Sequence, residues 1–209
     1  LLANADIVSF HVPLVKHGPH KTLHMLDKER LSALKPGMTI INASRGDVID
    51  NQALLDVFEQ GAKLDCVLDV WENEPTILTP LLDYVRFASV HIAGHTQEGK
   101  ARGTQMLYQK VCELEGVAAL KSLEDFLPEP ICHAVTLGET FSLDDIGRLV
   151  HLIYDVRRDD GILRSKLSSE GFDSLRKNYP PRRELNTLSV AANSACEARL
   201  AALGFRINE

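Results

Sequence analysis

The sequence predicts an α/β fold: part of a doubly wound parallel sheet followed by a small α+β unit. Three observations predict it. Short apolar, β-branched runs at residues 38–41, 64–68 and 85–90 suit strands buried on both faces. Capped segments with helical patterning separate them. Beyond the proline- and acid-rich stretch LEDFLPEP at 123–130, helix and strand signals mix in a different texture.

Taken in order, ADIVSF at 5–10 reads as the first strand, left by His11-Val12-Pro13-Leu14 and broken at Gly18-Pro19. Residues 26–34 form a short helix capped by Asp27, and Pro36-Gly37 turns into the central strand, 38–41. That strand stops at the turn-prone Asn42-Ala43-Ser44-Arg45-Gly46. Asp50-Asn51 then caps a helix over 52–59 that Gly61 closes. Strand 64–68 runs out into DVWENEP (69–75), and strand 85–90 into HIAGHT (91–96). The next helix, 96–120, places Met106, Leu107, Val111 and Leu114 broadly on one face, with Gly116 as its stop. Its small, basic start, Gly99-Lys100-Ala101-Arg102-Gly103, suits close packing against a cofactor or a partner. With 123–130 as a linker, the expected domains are 1–122 and 123–209. In the second, 131–137 and 187–192 read as strands. Ile146, Leu149, Val150 and Ile153 mark a helix over 143–154. A helix over 194–203 stops at Gly204, and 205–207 is a last short strand.

The chain has 209 residues, 44% of them hydrophobic and 25% charged, which is ordinary for a globular protein with one good core or two small ones. A net charge of −6 argues against nucleic-acid and anionic-membrane partners. Cys66, Cys112, Cys132 and Cys196 are scattered, without C-x-x-C or zinc spacing, as in reduced cytosolic chains. With no membrane-length apolar run and no signal peptide in view, the expected location is cytoplasmic.

The chemistry gathers at strand ends. Three successive strands deliver Arg45, then Asp69 and Glu74, then His91 to one edge of one sheet, and ligands of open parallel sheets sit outside the carboxyl ends of the strands. A permanently charged, bidentate guanidinium there suits a carboxylate or a phosphate. Cation, carboxylate and histidine together suit proton-coupled chemistry on a small acid; taken singly, each could be a plain surface or structural group.

The set NASRG, DVWENEP and HIAGHT resembles the signature of the NAD-dependent D-isomer-specific 2-hydroxyacid dehydrogenases, and the spacing of Arg45, Glu74 and His91 fits that family. HIAGHTQEGKARGT (91–104) and LVHLIYDVRRDD (149–160) are similar to a branch of it with a C-terminal extension that most of the wider family lacks. The resemblance implies the second half of a Rossmann-type doubly wound parallel sheet, followed by an α+β dimerisation domain. It implies His91 as general acid/base, Glu74 pairing with its other ring nitrogen, and Arg45 holding the substrate carboxylate. Val12, Ala43, Ser44, Arg45, Asp69 and Gly94 would line the NAD site, with Val12 standing where relatives often have threonine. Asp69 would meet the nicotinamide carboxamide, or else cap a helix. His95, where relatives often have tyrosine, would touch substrate beside Arg45.

The expected partners are a phosphorylated 2-hydroxy acid and a second copy of the chain, joined through the C-terminal domain. The charged run 155–160 is either part of that contact or a solvated face. His91 and His95 lack a third ligand, so no metal is expected. No G-x-G-x-x-G follows any expected strand, so the sequence reads as the C-terminal portion of a longer enzyme, and these 209 residues alone are not expected to turn over. The rival readings are another D-2-hydroxy acid, such as phosphoglycerate, and a non-catalytic NAD-binding interaction protein.

Overall fold

The computed structural model describes residues 2–192 and 194–208. Its contacts group the chain into two units, Leu1–Ala93 with Val156–Tyr179, and Gly94–Asp155 with Pro180–Glu209.

In the first unit β1 (Ile7–Phe10), α1 (Lys28–Ser32), β2 (Thr39–Asn42), α2 (Asn51–Glu59), β3 (Asp65–Leu68) and β4 (Phe87–Ala88) follow one another. The four strands pair in parallel in the order β1-β2-β3-β4. Local chemistry accounts for the helix starts. Asp27 accepts from the Arg30 N–H, and Asp50 from the Ala53 N–H at 2.8 Å, each relieving a donor that a first helical turn leaves unpaired. Ile40, Cys66 and Leu68 are fully buried on the sheet, and Leu54 and Phe58 of α2 pack in the same core. Burial, and to a lesser degree the Asp65 carboxylate, pushes the Cys66 thiol up to about 12. It is an uncharged core side chain.

In the second unit lie α3 (Gln97–Glu115), β5 (Ala134–Thr136) and α4 (Ile146–Ile153). The chain then returns to the first unit with α5 (Val156–Glu170) and α6 (Phe172–Lys177), and ends in the second with β6 (Ser189–Ala191), α7 (Ser194–Leu203) and β7 (Arg206–Ile207). The small sheet is also parallel, in the order β5-β6-β7, over a core of Leu149, Leu188, Val190, Leu200 and Phe205. Gly116, at φ 65, ends α3 in the left-handed conformation that glycine adopts at least cost. The basic start of α3 is used inside this unit. Arg102 pairs with Glu184 at 2.9 Å, and the buried Glu98 pairs with Arg183 at 2.5 Å.

This grouping departs from a division at 122/123 in two places. The second unit begins at Gly94, and residues 156–179, expected beyond the linker, belong to the first unit. The reason is packing. Leu163, Phe172 and Leu175 are buried in the first core, and a fully buried leucine contributes about 1.5–3 kcal/mol. Polar clamps add to it along the edge strand. Asp160 Oδ1 accepts from the Ala88 N–H at 2.8 Å, and Arg164 donates to the Leu82 and Val85 carbonyls at 2.5 and 2.9 Å. Tyr179 donates to Asp159 at 2.8 Å. Asp159 and Asp160 of the charged run 155–160 are thus spent within the chain.

Candidate active site

The carboxyl ends of β2, β3 and β4 carry the expected residues, and contacts join their loops. Asn42, fully buried at the end of β2, shapes the first loop. Its Oδ1 accepts from the Ser44 N–H at 3.1 Å and from the Ser44 hydroxyl at 2.9 Å, and its Nδ2 donates to the Arg45 carbonyl at 2.9 Å. Arg45 is exposed, with Nη1 donating to the Ser44 carbonyl at 2.6 Å. Gly46 lies directly on the Trp71 peptide, where a Cβ would fall 1.9 Å from the carbonyl carbon and oxygen. The Trp71 N–H in turn donates to Glu74 Oε1 at 2.8 Å, and Glu74 Oε2 lies 2.7 Å from His91 Nδ1. A continuous line of contacts therefore runs from the Arg45 loop to the imidazole.

His91 stands at φ 57, a left-handed conformation costing a non-glycine residue about 1–3 kcal/mol, so its surroundings must hold it there. They do so through the backbone. The His91 N–H donates to the Asp69 carbonyl at 2.7 Å, and the His91 carbonyl accepts from Arg176 Nε at 3.0 Å. The buried Asp69 carboxylate accepts from Ser89 Oγ, the Ile92 N–H and the Ala93 N–H at 2.6, 2.8 and 2.9 Å. With Nδ1 on Glu74, the Nε2 atom has no partner among the described residues, and the side chain keeps 27% of its surface open. The pair is a histidine fixed as a tautomer, with one nitrogen presented outward.

Residues 1–96 match the family model described as "D-isomer specific 2-hydroxyacid dehydrogenase, NAD binding domain". This stretch is similar to the NAD-binding domain of that family. Residues 126–204 match a second model, described as a domain of unknown function (DUF3410). The chain is 69% identical over 207 residues to "Erythronate-4-phosphate dehydrogenase" of Pseudoalteromonas translucida (strain TAC 125), covering 99% of this chain and 56% of that protein. It is 51% identical to the protein of that name from Photorhabdus laumondii subsp. laumondii, covering 98% and 55%. It thus spans about half the length of the curated relatives it matches. Among solved structures, a glyoxylate reductase from Paecilomyes thermophila is similar at 32% identity and a TM-score of 0.47, over 55% of this chain and 34% of that one.

In the first unit, Arg45, Asp69, Glu74 and His91 share one sheet edge. Ala43 is half-buried and Ser44 buried in the first loop, while Val12 packs against the first core. Gly94 and His95 begin the second unit. Among the described residues, no group of three or more His, Cys, Asp or Glu is arranged to hold a metal, and no helix is long and apolar enough to cross a membrane. Sequence reasoning passed over four residues that shape the site: Asn42, Gly46, Trp71 and Arg176. An asparagine closing an apolar strand and a glycine following the arginine are signals that could have been read. The link from Arg176 to His91 spans 85 positions and leaves no local trace. A second cluster lies at the same edge. His24 Nε2 lies 2.6 Å from Glu72 Oε1, and Glu72 Oε2 accepts from the Asn51 N–H at 2.6 Å, tying three loops of this edge together.

Proposed function

We propose that this chain carries the acid/base machinery of a dehydrogenase that oxidises 4-phospho-D-erythronate to 3-hydroxy-2-oxo-4-phosphobutanoate, with NAD as acceptor, in pyridoxal phosphate biosynthesis. The observation that carries the proposal is the 2.7 Å contact between Glu74 and His91 Nδ1, which leaves Nε2 free to take a proton. The substrate follows from the name of the relatives at 69% and 51% identity.

The geometry supports the following roles. Arg45, an exposed guanidinium at the end of the central strand, holds the substrate carboxylate and polarises the C2 oxygen. His91 Nε2 accepts the C2 hydroxyl proton, and Glu74 supports the imidazolium that results. NAD, when bound, supplies the two-electron acceptor for the C2 hydride. The donor set fits its nicotinamide end. Ala43 adds no bulk at the strand end, and the Asp69 carboxylate keeps one of its four lone-pair positions beyond three donors for a carboxamide N–H. Val12, Ser44 and Gly94 are proposed to complete the lining, and His95 to reach substrate. The scattered cysteines, present as thiols, support a cytoplasmic setting.

The test is NADH formation by the product of the complete reading frame. Turnover of 4-phospho-D-erythronate at a kcat/KM at least about tenfold above that for 3-phospho-D-glycerate is expected, a gap of about 1.4 kcal/mol in transition-state binding. Equal or inverted preference would overturn the substrate assignment.

We further propose a homodimer formed through the second unit. Met106, Leu107, Val111 and Leu114 of α3 are each more than half exposed and share one face, an apolar stripe that solvated helices seldom carry. Leu107→Asp with Val111→Asp is expected to halve the mass measured by light scattering. A monomeric unmutated chain at micromolar concentration would refute the dimer.

A further inference from the structure

Arg176 stands out among the charged residues of the first unit. It lies half-buried on α6, whose Phe172 and Leu175 are anchored in the core. Among the described residues it has no carboxylate partner, and its one hydrogen bond is Nε to the His91 carbonyl at 3.0 Å. A guanidinium normally spends its charge on an anion. Here it is spent on the one carbonyl whose residue must be held at φ 57.

We infer that Arg176 is a positioning residue for His91, an inference that rests on the proposed acid/base role of that histidine. The His91 peptide is gripped at both ends, its N–H by the Asp69 carbonyl and its carbonyl by Arg176. Asp69 holds the next two N–H groups. With Arg176 removed, the carbonyl loses its only charged donor and the left-handed residue relaxes towards negative φ, which turns the Cα–Cβ bond and carries the ring away from Glu74. Helix α6 of the first unit is therefore part of the machinery that sets the imidazole tautomer, although it supplies no group to the reaction.

The test has two readouts. In the chain labelled with ¹⁵N-histidine, NMR at a pH where the ring is neutral is expected to show His91 protonated at Nδ1 alone. Arg176→Met is expected to give a mixture of tautomers, with Arg176→Lys restoring most of the single form. In the product of the complete reading frame, Arg176→Met is expected to lower kcat about 10- to 100-fold and shift the pH profile, with KM for NAD within about twofold. If Arg176→Met does not fold, Arg176→Leu, which also removes every N–H donor, carries the same comparison. An unchanged tautomer and pH profile would overturn the inference. So would a rise in substrate KM alone, which would make Arg176 a substrate ligand instead. Absence of turnover by the unmutated protein would sink the dehydrogenase reading, and the tautomer measurement would still judge Arg176.

Discussion

Replacing His91 by asparagine is expected to lower kcat by about 10²–10⁴-fold, the usual contribution of a positioned general base. Asparagine is the informative choice because it tolerates left-handed φ better than most residues, so the loop held at φ 57 survives while the titratable nitrogen is lost. Glu74→Gln acts on the same atom from behind. Its amide N–H₂ donates to Nδ1, which moves the ring proton to Nε2 and removes the lone pair that should take the substrate proton. Both variants should bind NAD within about twofold of the unmutated protein by fluorescence quenching, because neither touches the proposed lining residues. Rates within about threefold of the unmutated enzyme for His91→Asn would mean that the proton goes elsewhere.

Gly46→Ala is expected to be the most damaging small substitution in the first unit. The added Cβ would fall 1.9 Å from the Trp71 carbonyl and 2.6 Å from the Glu72 nitrogen, and both neighbours are backbone that cannot swing aside. Overpacking of this kind costs about 3 kcal/mol or more. The first unit's melting transition should fall by roughly 10 °C. The loss is also functional, because the displaced Trp71 peptide carries the N–H that fixes Glu74, so substrate KM and kcat should both suffer. Gly103→Ala is the control. It sits within α3 with nothing inside 4 Å of the new Cβ and should stabilise by about 0.5–1 kcal/mol. Equal melting of the two variants would show that the Gly46–Trp71 contact carries no weight.

What could be read ahead of the fold was local. Asp27 and Asp50 advertise helix starts because a side-chain oxygen two or three residues from an orphan N–H needs no tertiary partner. Gly61, Gly116 and Gly204, at φ 89, 65 and 99, advertise helix ends for a similarly short-range reason. The apolar runs that became β2 and β3 stand out because parallel strands are covered on both faces. By contrast, α5 and α6 carry no local helix signal. Their sequence is dominated by charge, and the few buried positions, Leu163, Phe172 and Leu175, make sense only against a core built 70 residues and more earlier. The charged run 155–160 suits a dimer contact or a solvated face, whereas its Asp160 accepts from the Ala88 N–H of β4 and the nearby Arg164 donates to the Val85 carbonyl.

By itself, the sequence determined the alternation of strands and helices in the first unit and the residue types delivered to its carboxyl edge. Those depend on periodicity, caps and turns, which are properties of neighbours along the chain. Only the tertiary structure decided that Glu74 meets His91, that Gly46 rests on Trp71, and that residues 156–179 return to grip the His91 loop through Arg176. Each of these is a contact between segments distant in sequence. Its energy comes from burial and charge-assisted hydrogen bonding that exist only once both partners have been brought together.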